Sequence, residues 1–216
     1  MTIHTDAGLV PGWRLSENMY RVNLNNPGVL DLNRREDAAY VELGNPGVPH
    51  GVVEVPGWRL SETQYKVQLN NPGVLDLNRK PGVAYVELGN PGVPHAVTEV
   101  PGLSFENRED YRELGKSLRY DPAFPKGANA NLYTWIGEDE VRVLTYERGV
   151  EDFTLACGTG CGSTAVTLWM QGKLPGGVLT ARNQGGTLRV TLGAEAGTVS
   201  SILLEGPTEV VRIYEI

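Results

Sequence analysis

The sequence predicts an α+β protein in which a sheet curls around one buried helix, and three observations lead there. Short alternating segments recur along the 216 residues and break at turns rich in Pro and Gly, with 27 Gly and 14 Pro in all. That composition favours many short strands over long helices. Against this background one run, Gly160 to Gln171 (GCGSTAVTLWMQ), is largely apolar and helix-like. Strands precede and follow it, and a sheet folded over that helix buries both.

In chain order, the first feature is a tandem duplication. Val10–Glu54 and Val55–Glu99 are aligned copies, identical at 35 of 45 positions. A solenoid or propeller needs about three or more units, and the chain after Glu99 does not continue the period, so a segmental duplication is the simpler reading. Within the second copy, Tyr65–Leu69 (YKVQL) and Ala84–Leu88 (AYVEL) alternate polar and apolar residues as half-buried strands do, and each runs into Asn-Pro-Gly. A third short strand is expected at Ala96–Val100. Beyond Pro101, Glu106–Leu118 places Tyr111, Leu114 and Leu118 at i, i+3 and i+7, with acids early and bases late, the pattern of an amphipathic helix. A Pro/Gly-rich loop, Asp121–Asn129, follows. Strands are then expected at Ala130–Ile136, Glu140–Glu147, Val178–Asn183, Gly186–Leu192, Val199–Glu205 and Glu209–Ile213.

The bulk numbers exclude several function classes. The chain has 40% hydrophobic and 21% charged residues and a mean hydropathy of −0.25, the profile of a soluble globular protein. A net charge of −7 with no basic stripe argues against a nucleic-acid partner. Met1–Asp6 (MTIHTD) shows no basic and then apolar leader, and no apolar stretch nears the roughly 18 residues that span a bilayer. A cytoplasmic chain without membrane contact is the expectation. Its two cysteines, Cys157 and Cys161, read as free thiols, since a disulfide between them would close a very tight loop.

Chemistry concentrates at Ala156-Cys157-Gly158-Thr159-Gly160, just before the apolar helix. A helix N-terminus offers unpaired N–H groups and a positive dipole end, which lower a thiol pKa from about 8.5. Gly158 and Gly160 let a ligand approach the backbone, where the same N–H groups can hold a carboxylate. A thiolate and a carboxylate clamp together suit removal of an α-proton from an amino acid; a buried structural cysteine beside a turn is the competing reading. Cys161, one turn on, reads as interior. His4, His50 and His95 show no ligand spacing near it, so no metal is expected. The Gly run lacks the Gly-Lys-Ser/Thr of a P-loop, and Ser163 replaces the third glycine of GxGxxG. The adjacent Glu147 and Arg148, taken alone, read as a solvated charge pair.

Taken together, LTYERGVEDFTLACGTGCGSTAV (Leu144–Val166), LGKSLRYDPAFPKGANAN (Leu114–Asn131) and Pro94-His95-Ala96-Val97 resemble the diaminopimelate epimerase family over about Tyr65–Ile216. Thr2–Gly8 resembles the segment that ends that family's first domain. The resemblance implies two pseudo-symmetric domains, each a mixed sheet wrapped on a central helix, with substrate and two cysteines between them. It implies an amino-acid epimerase that interconverts LL- and meso-diaminopimelate for lysine and peptidoglycan precursor synthesis, with no cofactor. Cys157 is then one acid/base, Glu147 assists the proton and His95 supports the thiol. Gly158 and Thr159 hold the α-carboxylate, while Asn129 and Arg148 hold the distal end of the substrate. On this reading residues 1–54 are an inter-domain remnant with an extra copy of the opening strands, and residues 55–216 are the carboxy-terminal domain.

Two departures qualify that expectation. Val93 stands where the family has an Asn two residues before the His, and no Cys-Gly-Asn-Gly-like motif supplies a second thiol. Three readings follow: an inactive truncated relative, a homodimer that sets Cys157 of each copy across one cleft, or a strand-mediated binding module.

Overall fold

The computed structural model describes the backbone of six strands between Thr2 and Val52, and residues 57–90 and 92–207 in full. Contacts divide the chain into two units, Met1–Glu54 and Val55–Ile216. In the first, β1 (Thr2–Thr5), β2 (Gly8–Arg14) and β3 (Tyr20–Val22) form one antiparallel sheet. A second comprises β4 (Pro27–Arg35), β5 (Ala38–Gly44) and β6 (Gly47–Val52).

The second unit carries β7 (Gly57–Arg59), β8 (Gln64–Leu69), β9 (Pro72–Lys80), β10 (Val83–Gly89) and β11 (Gly92–Glu99). A 3₁₀ turn (Arg108–Tyr111) and helix α1 (Arg112–Arg119) follow, then β12 (Asn129–Gly137), β13 (Glu140–Glu147) and the short β14 (Asp152–Phe153). Helix α2 (Gly158–Met170) and β15 (Val178–Asn183), β16 (Gly186–Glu195) and β17 (Thr198–Pro207) complete it. The duplication is visible as repeated register. Trp13 faces Arg21 as Trp58 faces Lys66, and Val41 faces His50 as Val86 faces His95.

One sheet runs β7-β8-β17-β16-β15-β13-β12-β11-β10-β9, with β14 paired to β13. Strands β8 and β9 stand near opposite ends of that order, yet Asn70–Asn71 alone joins them. Such a link reaches roughly 11 Å, so the sheet must curve until its ends meet. Asn71 ties the two ends together: its carbonyl accepts from the Gly89 N–H at 2.9 Å, and its side-chain amide donates to the Ser200 carbonyl at 2.9 Å.

Two pairs in this mixed sheet are parallel, β11–β12 and β13–β15, and a helix crosses between the strands of each. Both crossovers step the same way along the sheet, but β12 and β13 are antiparallel, so the strand direction reverses between them. Right-handed crossovers therefore place the two helices on opposite faces, and that is where they lie. On the inner face, Cys161, Ala165, Val166 and Leu168 of α2 pack with Ala84, Val86, Leu88, Val97, Val143, Val190 and Ile202. On the outer face, Leu118 of α1 packs with Ala130, Leu132, Leu144, Tyr146 and Phe153. Strands β10 to β13 are thus covered on both sides. Among the described residues no helix is long and apolar enough to cross a membrane.

The structure revises two expectations and leaves a third outside the described residues. The amphipathic helix begins as a 3₁₀ turn, and its buried face uses Gly115 and Leu118, whereas Leu114 is exposed. Strands β7 and β9, for which the sequence pattern gives no strand, pair antiparallel with β8 and β10. The expected strand at Glu209–Ile213 lies outside the described residues.

At Gly115 a Cβ would stand 2.8 Å from Tyr146 Cβ, an atom fixed to the backbone. Overpacking of about 1–3 kcal/mol outweighs the ~1 kcal/mol that Ala adds to a helix. Gly115→Ala should therefore lower stability in urea unfolding, by about 1 kcal/mol, where helix propensity alone would raise it.

Candidate active site

The sheet register assembles the site. In the parallel β11–β12 pair His95 stands opposite Asn129, and in the antiparallel β12–β13 pair Asn131 stands opposite Thr145. Alternation sends His95, Asn131 and Thr145 to the inner face with Val97, Tyr133 and Val143 of the core. They form a buried polar row across three strands, with His95 and Asn131 at 0% and Thr145 at 2% exposure. Such a row is tolerated when its groups are hydrogen-bonded. Thr145 Oγ1 donates to Asn131 Oδ1 at 2.9 Å, and Asn131 Nδ2 lies 2.9 Å from His95 Nδ1 and 3.4 Å from the Ala96 carbonyl. His95 Nε2 lies 3.0 Å from Thr159 Oγ1, in the first turn of α2.

Cys157 is the N-cap of α2 in an extended conformation, and the first helical bond runs from the Cys161 N–H to the Cys157 carbonyl at 2.9 Å. The N–H groups of Gly158, Thr159 and Gly160 therefore precede the helical ladder. Close packing fixes this start, because a Cβ on Gly160 would fall 2.3 Å from Asn131 Oδ1. Cys157 Sγ lies 3.6 Å from Thr159 Oγ1, so the row reaches the sulfur.

The electrostatics correct one expectation. Burial pushes the Cys157 thiol pKa up, more than the Thr159 hydroxyl and the Gly160 and Thr159 N–H groups pull it down, and Glu147 adds to the rise. The helix end is present, but at 7% exposure desolvation of the thiolate is the larger effect. Cys161 is fully buried with Asn183 beside it and is pushed up to about 12, mainly by burial. Both thiols are free.

The other predicted residues gather at the same end of the barrel. Glu147 ends β13 on the inner face, two residues beyond Thr145. Asn129 is buried, and its Oδ1 accepts from the Arg148 N–H at 2.7 Å, so it holds the Glu147–Arg148 corner. Arg148 Nη1 donates to the Lys126 carbonyl at 2.8 Å. Lys126 in turn pairs with the buried Glu87, which also accepts from the Tyr85 hydroxyl at 2.6 Å. A cavity of about 470 Å³ lies at the other end of α2, lined by Glu99, Tyr133, Gln171 and Lys173 among others, and none of the predicted residues borders it. Asn131 and Thr145 were missed in the sequence; the signal for Asn131 was a second polar residue, two after Asn129, on a strand otherwise fit for burial.

The model of the family described as diaminopimelate epimerase matches residues 88–211, more than half of the chain. The chain belongs to the diaminopimelate epimerase family. A diaminopimelate epimerase of Flavobacterium psychrophilum is 37% identical over 103 residues, 47% of this chain and 40% of that one. One of Aquifex aeolicus is 46% identical over 72 residues, 32% of this chain and 26% of that protein. The chain thus spans less than half the length of these relatives. Among solved structures, a hydroxyproline epimerase from Agrobacterium vitis aligns with a TM-score of 0.46 at 18% identity, over 95% of this chain and 55% of that one.

His95 is held neutral: burial pushes its pKa from 6.5 down to about 4. Below pH 6.5 the unfolded chain takes up the proton first, so stability present above that pH is lost as pH falls towards 4. The loss is about 3 kcal/mol in full. Urea unfolding at pH 7 and 4.5 should show wild type losing about 2–3 kcal/mol more than His95→Gln.

Proposed function

We propose that this chain performs α-proton transfer on a free amino acid, as the Cys157 half of a cofactor-independent diaminopimelate epimerase. The observation that carries the reading is the position of Cys157: a thiol at the start of α2, beside N–H groups that no helical carbonyl accepts, and linked through Thr159 to His95. The substrate carboxylate binds the Gly158 and Thr159 N–H groups, which sets the α-carbon near Sγ and stabilises the charge that develops when its proton leaves. The C–H electron pair stays on the substrate as the carbanion, and the proton passes to the Cys157 thiolate. Because burial and Glu147 favour the protonated thiol, Glu147 is the group that accepts the thiol proton as substrate enters. Asn129 and Arg148 border the side where the distal amino-acid group of diaminopimelate would lie. The product belongs to lysine and peptidoglycan precursor synthesis in the cytoplasm.

Inversion needs a second acid on the opposite face of the α-carbon. In this proposal a second copy of the chain supplies it, through its own Cys157. Val93, Val150 and Leu155, at 42%, 56% and 63% exposure, are large apolar side chains left open within two residues of His95, Arg148 and Cys157.

In D₂O, wild type should incorporate deuterium at the α-carbon of LL- or meso-diaminopimelate, and Cys157→Ala should lower the rate by roughly 10²–10⁴. No incorporation by folded wild type would make the chain an inactive relative. For the second thiol, wild type mixed with excess Cys157→Ser should lose inversion beyond simple dilution as mixed dimers form. Inversion retained in proportion to wild-type chain would overturn the shared cleft.

A further inference from the structure

The polar row has a direction, and that direction assigns a function to two residues outside the expected site. The Ala96 carbonyl can only accept, so at 3.4 Å it fixes the NH₂ of the Asn131 amide on the His95 side. In that orientation Asn131 Oδ1 faces Thr145 and accepts from its hydroxyl at 2.9 Å. An amide N–H aimed at His95 Nδ1 from 2.9 Å requires an unprotonated nitrogen there, so the proton of the neutral ring sits on Nε2. Nε2–H then donates to Thr159 Oγ1 at 3.0 Å. With its oxygen accepting, the Thr159 hydroxyl directs its own proton at Cys157 Sγ, 3.6 Å away.

We infer that Thr145 and Asn131 are positioning residues that lock His95 in the Nε2–H tautomer and so aim the Thr159 hydroxyl at the Cys157 sulfur as a standing donor to the thiolate. The inference rests on the reading of Cys157 as the proton-transfer thiol, and it concerns how that thiolate is made accessible in a buried place. Two further titratable side chains face the sulfur, Glu147 from β13 and Cys161 one turn along α2, and Arg148 is the charged neighbour of His95. None of them takes part in the directed row. Reversed, with Nδ1 protonated, the ring would draw the Thr159 proton to Nε2 and leave the sulfur facing a lone pair.

The test reads the thiol and the ring without substrate, so it can fail while α-proton exchange succeeds, and the reverse. NMR of ¹⁵N-histidine protein should show His95 as the Nε2–H tautomer in wild type and lose that state in Asn131→Leu. The pH profile of Cys157 alkylation by iodoacetamide, resolved from Cys161 by peptide mapping, should move up by about one unit in Asn131→Leu, a roughly tenfold slower reaction below the midpoint. Thr159→Val should give the same shift, Thr159→Ser should restore the wild-type profile, and the Asn131→Leu/Thr159→Val pair should shift no further than either alone. An Nδ1–H tautomer in wild type, or a shift in Thr159→Val with none in Asn131→Leu, would overturn the assignment. Should Asn131→Leu unfold, seen as alkylation of Cys161, Thr145→Val is read in its place. It should shift the profile in the same direction by less, and an unchanged profile would count against the row.

Discussion

Closing the buried polar row is the constraint on which the rest of the second unit depends. Thr145, Asn131 and His95 lie side by side inside the sheet, each buried from bulk solvent. An unsatisfied buried polar group costs about 1–3 kcal/mol, so the row must end on a partner, and the sheet offers none for His95 Nε2. Thr159 provides it. That one bond sets where α2 enters the barrel, why the next residue is the side-chain-free Gly160, and why Cys157 falls at the cap. The N–H groups of Thr159 and Gly160, ahead of the helical ladder, act on that sulfur. A site and a packing requirement coincide at one helical turn.

The helices follow from the sheet order in a similar way. Because β12 and β13 run antiparallel between two parallel pairs, α1 and α2 are driven to opposite faces. This leaves β10 to β13 buried on both sides, and these strands carry His95, Asn129, Asn131, Thr145 and Glu147. The outer face adds a separate network in which Glu87, Lys126 and Tyr85 steady the neighbourhood of Arg148. Burial pushes the Glu87 carboxyl up, but the hydrogen bonds from Tyr85 and Lys126 are stronger and hold it below its usual range.

Local pattern carried much of this. The apolar helix read at 160–171 spans Gly158–Met170, and strands such as β13 and β15 match their expected limits. Pattern failed where a partner far along the chain decides. Strand β9 (PGVLDLNRK) mixes turn formers with apolar residues and is a strand because β10 pairs with it. Leu114 is exposed because the α1 face is set by contact of Gly115 with Tyr146, which periodicity counts as a gap. The Cys157 shift changed sign because the helix end is a local property and burial is not. Asn131 and Thr145 gain their meaning from register across three strands, which no single segment of sequence displays.

The repeated register also bears on how the chain reaches this state. Residues 10–54 leave the ribosome before residues 55–99, and β12 to β17, which complete the barrel, are made last. When they emerge, two copies with the same strand pairings already precede them. The buried positions of the second copy recur unchanged in the first, except that Val83 corresponds to Ala38 and Ala96 to Gly51. Both replacements are smaller. The copies differ by three buried carbon atoms, worth about 2 kcal/mol at the usual value for each, and at the turn, where Gly82 at φ +75° has Asp37 as its counterpart and Thr98, whose hydroxyl donates to the Gly82 carbonyl, has Val53. The copies are thus told apart at a few packing and turn positions, and not by the strand pattern they share.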